Sequence, residues 1–105
     1  MSTPLFRWSG EYVGFVSGTG HIFDAQSTYL GWIEDDGRVW RKDGRHVGQM
    51  VENNYILKKT IAIAPIPRIP RIPPIPPIPP IPSINRIGKI GKIGWQDAFD
   101  DLLSA

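Results

Sequence analysis

The sequence predicts an all-β domain with an extended appendage, and three regularities predict it. Apolar pairs recur every 17 residues through the first sixty or so positions, turn formers recur between them at the same step, and isoleucine then occupies every third position of a proline-rich tract. The fold class that follows is a small antiparallel β-meander of 17-residue hairpin repeats over residues 1–62. After it come an Ile-striped polyproline II rod over residues 63–94 and a short amphipathic acidic helix over residues 95–105.

The β segment is read from two interleaved series. Leu5-Phe6, Ile22-Phe23, Val39-Trp40 and Ile56-Leu57 form the first; Val13-Gly14-Phe15, Leu30-Gly31-Trp32 and Val47-Gly48-Gln49 form the second. Gly10, Ser27 and Gly44 precede the second series, while Gly20, Gly37 and Asn54 precede the first. Six or seven strands of about four to six residues follow, joined by hairpins for which the Asp-Gly and Asn-rich pairs suggest type I′ turns. Gly14, Gly31 and Gly48 fall inside strands, where glycine marks a bulge or a close backbone approach. Nine of the eleven aromatic residues lie in this segment and supply most of its core. A domain of about 60 residues buries only about 60% of its unfolded surface, which favours self-association.

Isoleucine occupies positions 63, 66, 69, 72, 75, 78, 81, 84, 87, 90 and 93, and ten of the eleven prolines lie between Pro65 and Pro82. The prolines exclude a helix and a central strand. Polyproline II has three residues per turn and a rise of about 3.1 Å, so all the isoleucines share one face of a rod roughly 90 Å long. A domain of about 60 residues is only about 25–30 Å across and cannot cover that stripe by itself. Leaving so many isoleucines in water forgoes roughly 15–30 kcal/mol as an upper bound, so another copy of the chain is the expected cover. From residue 87 the pattern changes to Ile-Gly-Lys, which restores N–H donors, and Ser83 to Arg86 is where a bend is expected. In the tail, Trp95, Ala98, Phe99, Leu102 and Leu103 follow helical spacing.

Charge is sorted by block. Residues 1–62 carry seven basic and seven acidic residues, residues 63–94 five basic and none acidic, and residues 95–105 three acidic and none basic. The net charge of +2 makes nucleic acid the least expected partner, although Arg86, Lys89 and Lys92 give a polyanion a local foothold. There is no cysteine, no stretch of about 18 apolar residues, and no cationic start leading into an apolar leader. The default expectation is therefore a cytoplasmic protein without a membrane span, with signal-independent export as the alternative.

Catalytic signatures are missing. His21 and His46 occupy different repeat positions, and Glu34-Asp35-Asp36-Gly37 lacks the alternating acids and distal Glu of a calcium loop and reads as a hairpin turn. No nucleophile elbow or phosphate-binding glycine loop occurs, so neither enzyme activity, metal nor cofactor is expected. Arg71 to Pro77 matches a basic polyproline ligand, though a tract this regular produces such matches by chance.

Tyr12-Val13-Gly14-Phe15, Ile22-Phe23-Asp24, Tyr29-Leu30-Gly31-Trp32-Ile33 and Gly37-Arg38-Val39-Trp40 resemble the small bacterial 4-fold β-flower domain family over residues 5–60 or so, with the tract and tail outside the resemblance. It implies a small β protein of fourfold organisation, within one chain or between four, without an assigned activity. The expected function is structural: a homo-oligomer, a tetramer by preference, held by aromatic heads and bundled rods. Its expected interface is Phe15, Trp32, Trp40, Ile63, Ile66, Ile69, Ile72, Ile75, Ile78, Ile81, Ile84, Ile87, Ile90, Ile93, Trp95 and Phe99. The alternatives are an adaptor whose rod or acidic tail recruits another protein, and polyanion binding through the Gly-Lys segment.

Overall fold

The computed structural model describes residues 2–59, 69, 70, 74, 84–86, 88 and 95–103. Eight strands and one helix follow in chain order: β1 (Thr3–Phe6), β2 (Tyr12–Val16), β3 (His21–Asp24), β4 (Tyr29–Ile33), β5 (Arg38–Arg41), β6 (His46–Val51), β7 (Tyr55–Lys59), β8 (Trp95–Asp97) and α1 (Phe99–Leu103). Each strand is hydrogen-bonded antiparallel to the next. The meander also closes on itself, because β1 meets β7 in parallel at Phe6 and Tyr55, with the Phe6 N–H donating to the Asn54 carbonyl at 2.8 Å. The result is a seven-stranded mixed barrel, which the purely antiparallel expectation did not include. Closure at this pair shortens the free edges that an open meander of this size exposes and leaves the remainder of β7 to another strand.

The 17-residue repeat becomes a repeated bulge. Pairing shifts register between Leu5 and Phe6, between Ile22 and Phe23, and between Val39 and Trp40, the same place in three successive units. Leu5 lies opposite Gly14 and Phe6 opposite Tyr12, which leaves Val13 as the extra residue; Leu30 and Val47 are its equivalents. A bulge resets the two-residue alternation, so Val13, Leu30 and Val47 join Leu5, Ile22, Val39 and Ile56 in one aliphatic core. The glycine opposite each aliphatic residue is sterically required. A Cβ on Gly31 would collide with the Trp40 carbonyl oxygen, and Gly14 and Gly48 meet the Phe23 and Leu57 carbonyls in the same way.

Five of the six turns differ from the type I′ expectation. At Glu34 the N–H of Gly37 donates to the Glu34 carbonyl at 2.9 Å, that of Glu34 donates to the Arg38 carbonyl at 3.0 Å, and only Gly37 has a positive φ. This is a three-residue loop, a type I turn closed by one left-handed residue. The same pair of bonds recurs at Arg7, Ser17, Asp24 and Arg41, with Gly10, Gly20, Ser27 and Gly44 in the left-handed position. Only β6–β7 has two successive positive φ values, at Glu52 and Asn53, as a I′ turn requires.

The tail differs from the helix expected over residues 95–105. Trp95 to Asp97 form β8 on the edge of β7, and helix starts only at Phe99. The unsatisfied edge of β7 offers three residues of ladder, worth more than the first turn of a short helix that is marginal alone. Asp97 then marks the switch, its carboxylate accepting the Phe99 N–H at 3.0 Å and the Trp8 N–H at 2.7 Å. Continuing the β7–β8 register, the Ala98 N–H donates to the Ile56 carbonyl at 2.9 Å. Ala98 thus stands opposite Ile56 as the repeat glycines stand opposite their partners. β1–β2, β3–β4, β5–β6 and β7–β8 are four two-stranded units within one chain.

The rod expectation falls on residues 63–94, all but seven of which lie outside the described residues. The described residues do fix where that tract begins and ends: Lys59 and Trp95 are paired across β7 and β8.

Candidate interaction surface

One end of the barrel carries a ring that the repeat also builds. Arg7, Asp24, Arg41 and Lys58 are 17 residues apart; the first three stand where a strand meets a turn, and Lys58 lies near the end of β7. Three of the four are basic, and they receive the acidic helix α1. Arg7 Nη2 meets Asp100 Oδ1 at 2.7 Å, Lys58 Nζ meets Asp101 Oδ2 at 2.6 Å, and Arg41 Nη1 donates to the Asp101 carbonyl at 3.4 Å. Beneath these contacts Phe99, Ala98 and Leu102 enter the aliphatic core, with Leu102 fully buried. The Arg7 hydrogen bond holds the Asp100 carboxyl below its ordinary value, and Asp100 raises Arg7 in turn. Asp24 instead caps its own turn, accepting the Gln26 and Thr28 N–H groups at 2.9 Å each.

The same end holds the most strongly shifted carboxylate. Arg41 grips Asp43 through Nε–Oδ1 at 2.9 Å and Nη2–Oδ2 at 2.6 Å, and this two-point contact lowers Asp43 to about 2. The opposite end is a shallow open depression of about 400 Å³ lined by Thr3, Val16, Ile33, Met50, Asn53 and Asn54. Val16, Ile33 and Met50 are again repeat equivalents, so the fourfold pattern shapes both ends.

The outer wall is aromatic. Neighbours in a strand face opposite sides, so Phe23 and Trp40 point away from the core that takes Ile22 and Val39. Phe15 stacks on Phe23 with centroids 5.3 Å apart, and Trp32 on Trp40 at 6.5 Å, while Gln49 and Leu57 hold the third equivalent position. A further ring joins each unit edge-on or tilted: Tyr12 at Phe6 (6.0 Å), Tyr29 at Phe23 (6.0 Å) and His46 at Trp40 (5.2 Å). Burial lowers His46 and raises Tyr12. Phe15, Phe23, Trp32 and Trp40 are each 1% exposed, although they lie on the side of the sheet away from the core.

The proline-rich tract touches this wall at one described place. The Tyr12 N–H donates to Asn85 Oδ1 at 2.9 Å, the Arg86 N–H donates to the Gly10 carbonyl at 2.7 Å, and the Arg86 guanidinium lies 4.2 Å from the Phe6 ring centroid. Arg86 therefore faces an aromatic ring as well as solvent, a cation–π arrangement worth about 0.5–1 kcal/mol at exposed sites. A Cβ on Gly10 would collide with the Arg86 carbonyl oxygen, so the turn glycine admits the tract. Asn85 and Arg86, which make this anchor, belong to the segment Ser83 to Arg86 where a bend was expected.

The expected interface residues divide three ways. Phe15, Trp32, Trp40 and Phe99 are buried within the single chain, and Trp95 is half-buried in β8. Ile69 and Ile84 are 89% and 91% exposed. Ile63, Ile66, Ile72, Ile75, Ile78, Ile81, Ile87, Ile90 and Ile93 lie outside the described residues, as do Lys89 and Lys92. Sequence reasoning missed the Arg7, Arg41 and Lys58 ring, although the 17-residue step would have found it. It also missed the pairing of Asn85 with Tyr12, for which no local signal exists. Among the described residues no three His, Asp or Glu side chains gather as a metal group, and no helix is long and apolar enough to cross a membrane.

The family model described as 4-fold beta flower protein matches residues 2–100, and the chain belongs to that family. The match takes in the tract and residues 95–100 of the tail, correcting the boundary at which the resemblance was expected to stop. No curated protein and no solved structure matches the chain.

Proposed function

We propose that this beta flower protein is a non-catalytic structural unit, a barrel head that presents an isoleucine-rich tract through which copies of the chain associate. The observation that carries this reading is the exposure of Ile69 and Ile84, 89% and 91%, two residues in the same phase of the three-residue repeat. Isoleucines left in water at that phase favour a partner by about 1.5–3 kcal/mol for each one fully buried. The barrel supports the reading by being filled: its interior is aliphatic from Leu5 to Ile56, and α1 plugs one end. "4-fold" in the family description also fits a fourfold assembly, with a tetramer the stoichiometry to look for. The count of four is met within one chain as well, so the number of chains has to be measured.

Light scattering after gel filtration tests the proposal. The full chain is expected to run as an oligomer, and Ile69→Ser with Ile75→Ser and Ile81→Ser is expected to reduce it to 11.8 kDa with its β circular dichroism intact. A monomeric full chain overturns the reading, and an unchanged oligomer in the variant removes the stripe from the interface.

A further inference from the structure

The two ends of the barrel present unlike surfaces, and single strands join them. β5 leaves turn 34–38 at the open end and enters turn 41–45 at the end that α1 closes. Stacking one copy on the next along the barrel axis therefore brings these two turns together.

Charge at the two turns is opposite. Turn 34–38 carries Glu34, Asp35 and Asp36 against Arg38, with Asp35 and Asp36 exposed, and Glu52 is exposed in the next turn of the same end. Arg38 already faces Asp36 at 3.5 Å. Turn 41–45 carries Arg41, Lys42 and Arg45 against Asp43. Arg41 takes up Asp43 in its two-point contact, which leaves the exposed Lys42 and Arg45 as the outward charge of the turn. The carboxylates of α1 beside it, Asp100 and Asp101, are engaged by Arg7 and Lys58.

Each turn also stands beside an apolar feature of complementary shape. The acidic turn borders the open depression of about 400 Å³, because Ile33 precedes Glu34 and the Met50 N–H donates to the Gly37 carbonyl at 2.8 Å. Val16 completes the apolar lining. That volume lies within the range of about 300–1,000 Å³ found for sites that enclose small organic groups, ample for one leucine side chain. Beside the basic turn, Arg41 holds the Asp101 carbonyl, two residues before Leu103 at the end of α1. Leu103 is 47% exposed, and among the described residues it is the one large apolar side chain so exposed outside the tract. A leucine flanked by basic side chains suits a hollow flanked by acidic ones. Two open ends would set acid against acid, and two closed ends base against base.

We infer that the two ends of the head are the halves of one contact between copies of this chain. Leu103 of one copy enters the depression lined by Val16, Ile33 and Met50 of the next, with Lys42 and Arg45 set against turn 34–38. The contact is heterologous, so it stacks heads in a row and does not close a pair. It is small, hence weak by itself, and it is promoted wherever the isoleucine tract already gathers copies. It uses no residue of the tract and does not rest on the assembly reading.

The chain has no cysteine, so single introduced thiols read the orientation of neighbouring copies. Thr19 and Gln26 are exposed in the turns at the two ends of β3, away from the charged turns and Leu103. Full chains carrying Thr19→Cys and full chains carrying Gln26→Cys, mixed equally at high concentration and joined by a flexible bis-maleimide linker, are expected to give mainly the mixed dimer. Random encounter makes the mixed dimer only about half of the product, and that result overturns the inference, as does an excess of either like pair. Leu103→Asp added to the Gln26→Cys chain is expected to return the random proportion with the β circular dichroism unchanged. A bias that persists removes Leu103 from the contact and overturns the inference too. With Ile69→Ser, Ile75→Ser and Ile81→Ser in both chains the bias is expected to remain, even if the full chain proves monomeric by light scattering and the assembly reading falls. A bias lost in that background overturns the inference, because it makes the end contact a by-product of the tract.

Discussion

Ser27 and Gly31 are near neighbours whose substitutions should act in opposite directions. Ser27 holds φ at 65° in the position that Gly10 and Gly44 fill in the equivalent turns. A left-handed conformation costs a residue with a Cβ about 1–2 kcal/mol, part of which glycine returns as lost chain entropy. Ser27→Gly is therefore expected to stabilise the fold by up to about 1 kcal/mol in thermal unfolding. Gly31→Ala forces a Cβ onto the Trp40 carbonyl and is expected to cost about 2 kcal/mol or more, with Gly14→Ala and Gly48→Ala alike. If Gly31→Ala were neutral, the close approach would not be what fixes this position.

Two titrations belong to the same scale. His46 is held neutral by burial beside Trp40, where the first two units have Tyr12 and Tyr29. A group whose folded value is depressed adds stability that is fully present above its ordinary value and is lost as pH falls through the folded one. His46→Tyr is accordingly expected to flatten stability between pH about 7 and 5, read by urea unfolding across that range. Asp43, at about 2, loses its contribution only in stronger acid, as pH falls through that value. The side chain is 42% exposed, so screening leaves about 1 kcal/mol or less, and Asp43→Asn should remove that acid step.

At the scale of elements, the helix α1 depends on what it docks against. Five residues do not hold a helix in water, and the contacts of Asp100 and Asp101 with Arg7 and Lys58 are surface ion pairs of about 1 kcal/mol or less each. The larger share comes from Leu102 and Phe99 in the barrel core. Leu102→Ala is expected to cost about 2–4 kcal/mol by chemical denaturation, and Asp101→Asn less than 1. The reverse order would make the charged ring the main anchor. The turns show how far sequence reading reached here. Gly10, Gly20, Ser27, Gly37, Gly44 and Asn54 marked all six turns, but not how many residues of each take positive φ, which follows from the loop length that the strand pairing leaves.

For the whole molecule, the fourth unit ties the tail to the head. β7 belongs to the 17-residue repeat and β8 to the tail, and both complete one barrel wall with Ala98 in the core. Far-ultraviolet dichroism and tryptophan fluorescence should therefore report one coincident unfolding transition. Two separate transitions would mean that the tail is an accessory to an independently stable head.

By itself the sequence determined the strands of the 17-residue repeat and their turn positions and marked Gly14, Gly31 and Gly48 as bulges or close approaches, because each depends on contacts between residues a few positions apart and is repeated at a fixed step; the aromatic core it led one to expect is instead an aliphatic one, with Phe15, Phe23, Trp32 and Trp40 on the other face of the sheet. Both faces of the sheet were legible as apolar in Ile22-Phe23 and Val39-Trp40, which read as the material of a core and of an interface. Only the tertiary structure decided that the meander closes through Phe6 and Tyr55, that Trp95 to Asp97 extend as a strand where helical spacing predicted a helix, and that Asn85 reaches Tyr12. Those contacts join distant segments through backbone groups that every residue carries. What selects them is the stretch of β7 that β1 leaves unpaired and the space at Gly10, where a Cβ would meet the Arg86 carbonyl, and both belong to segments far from the tail and tract in sequence.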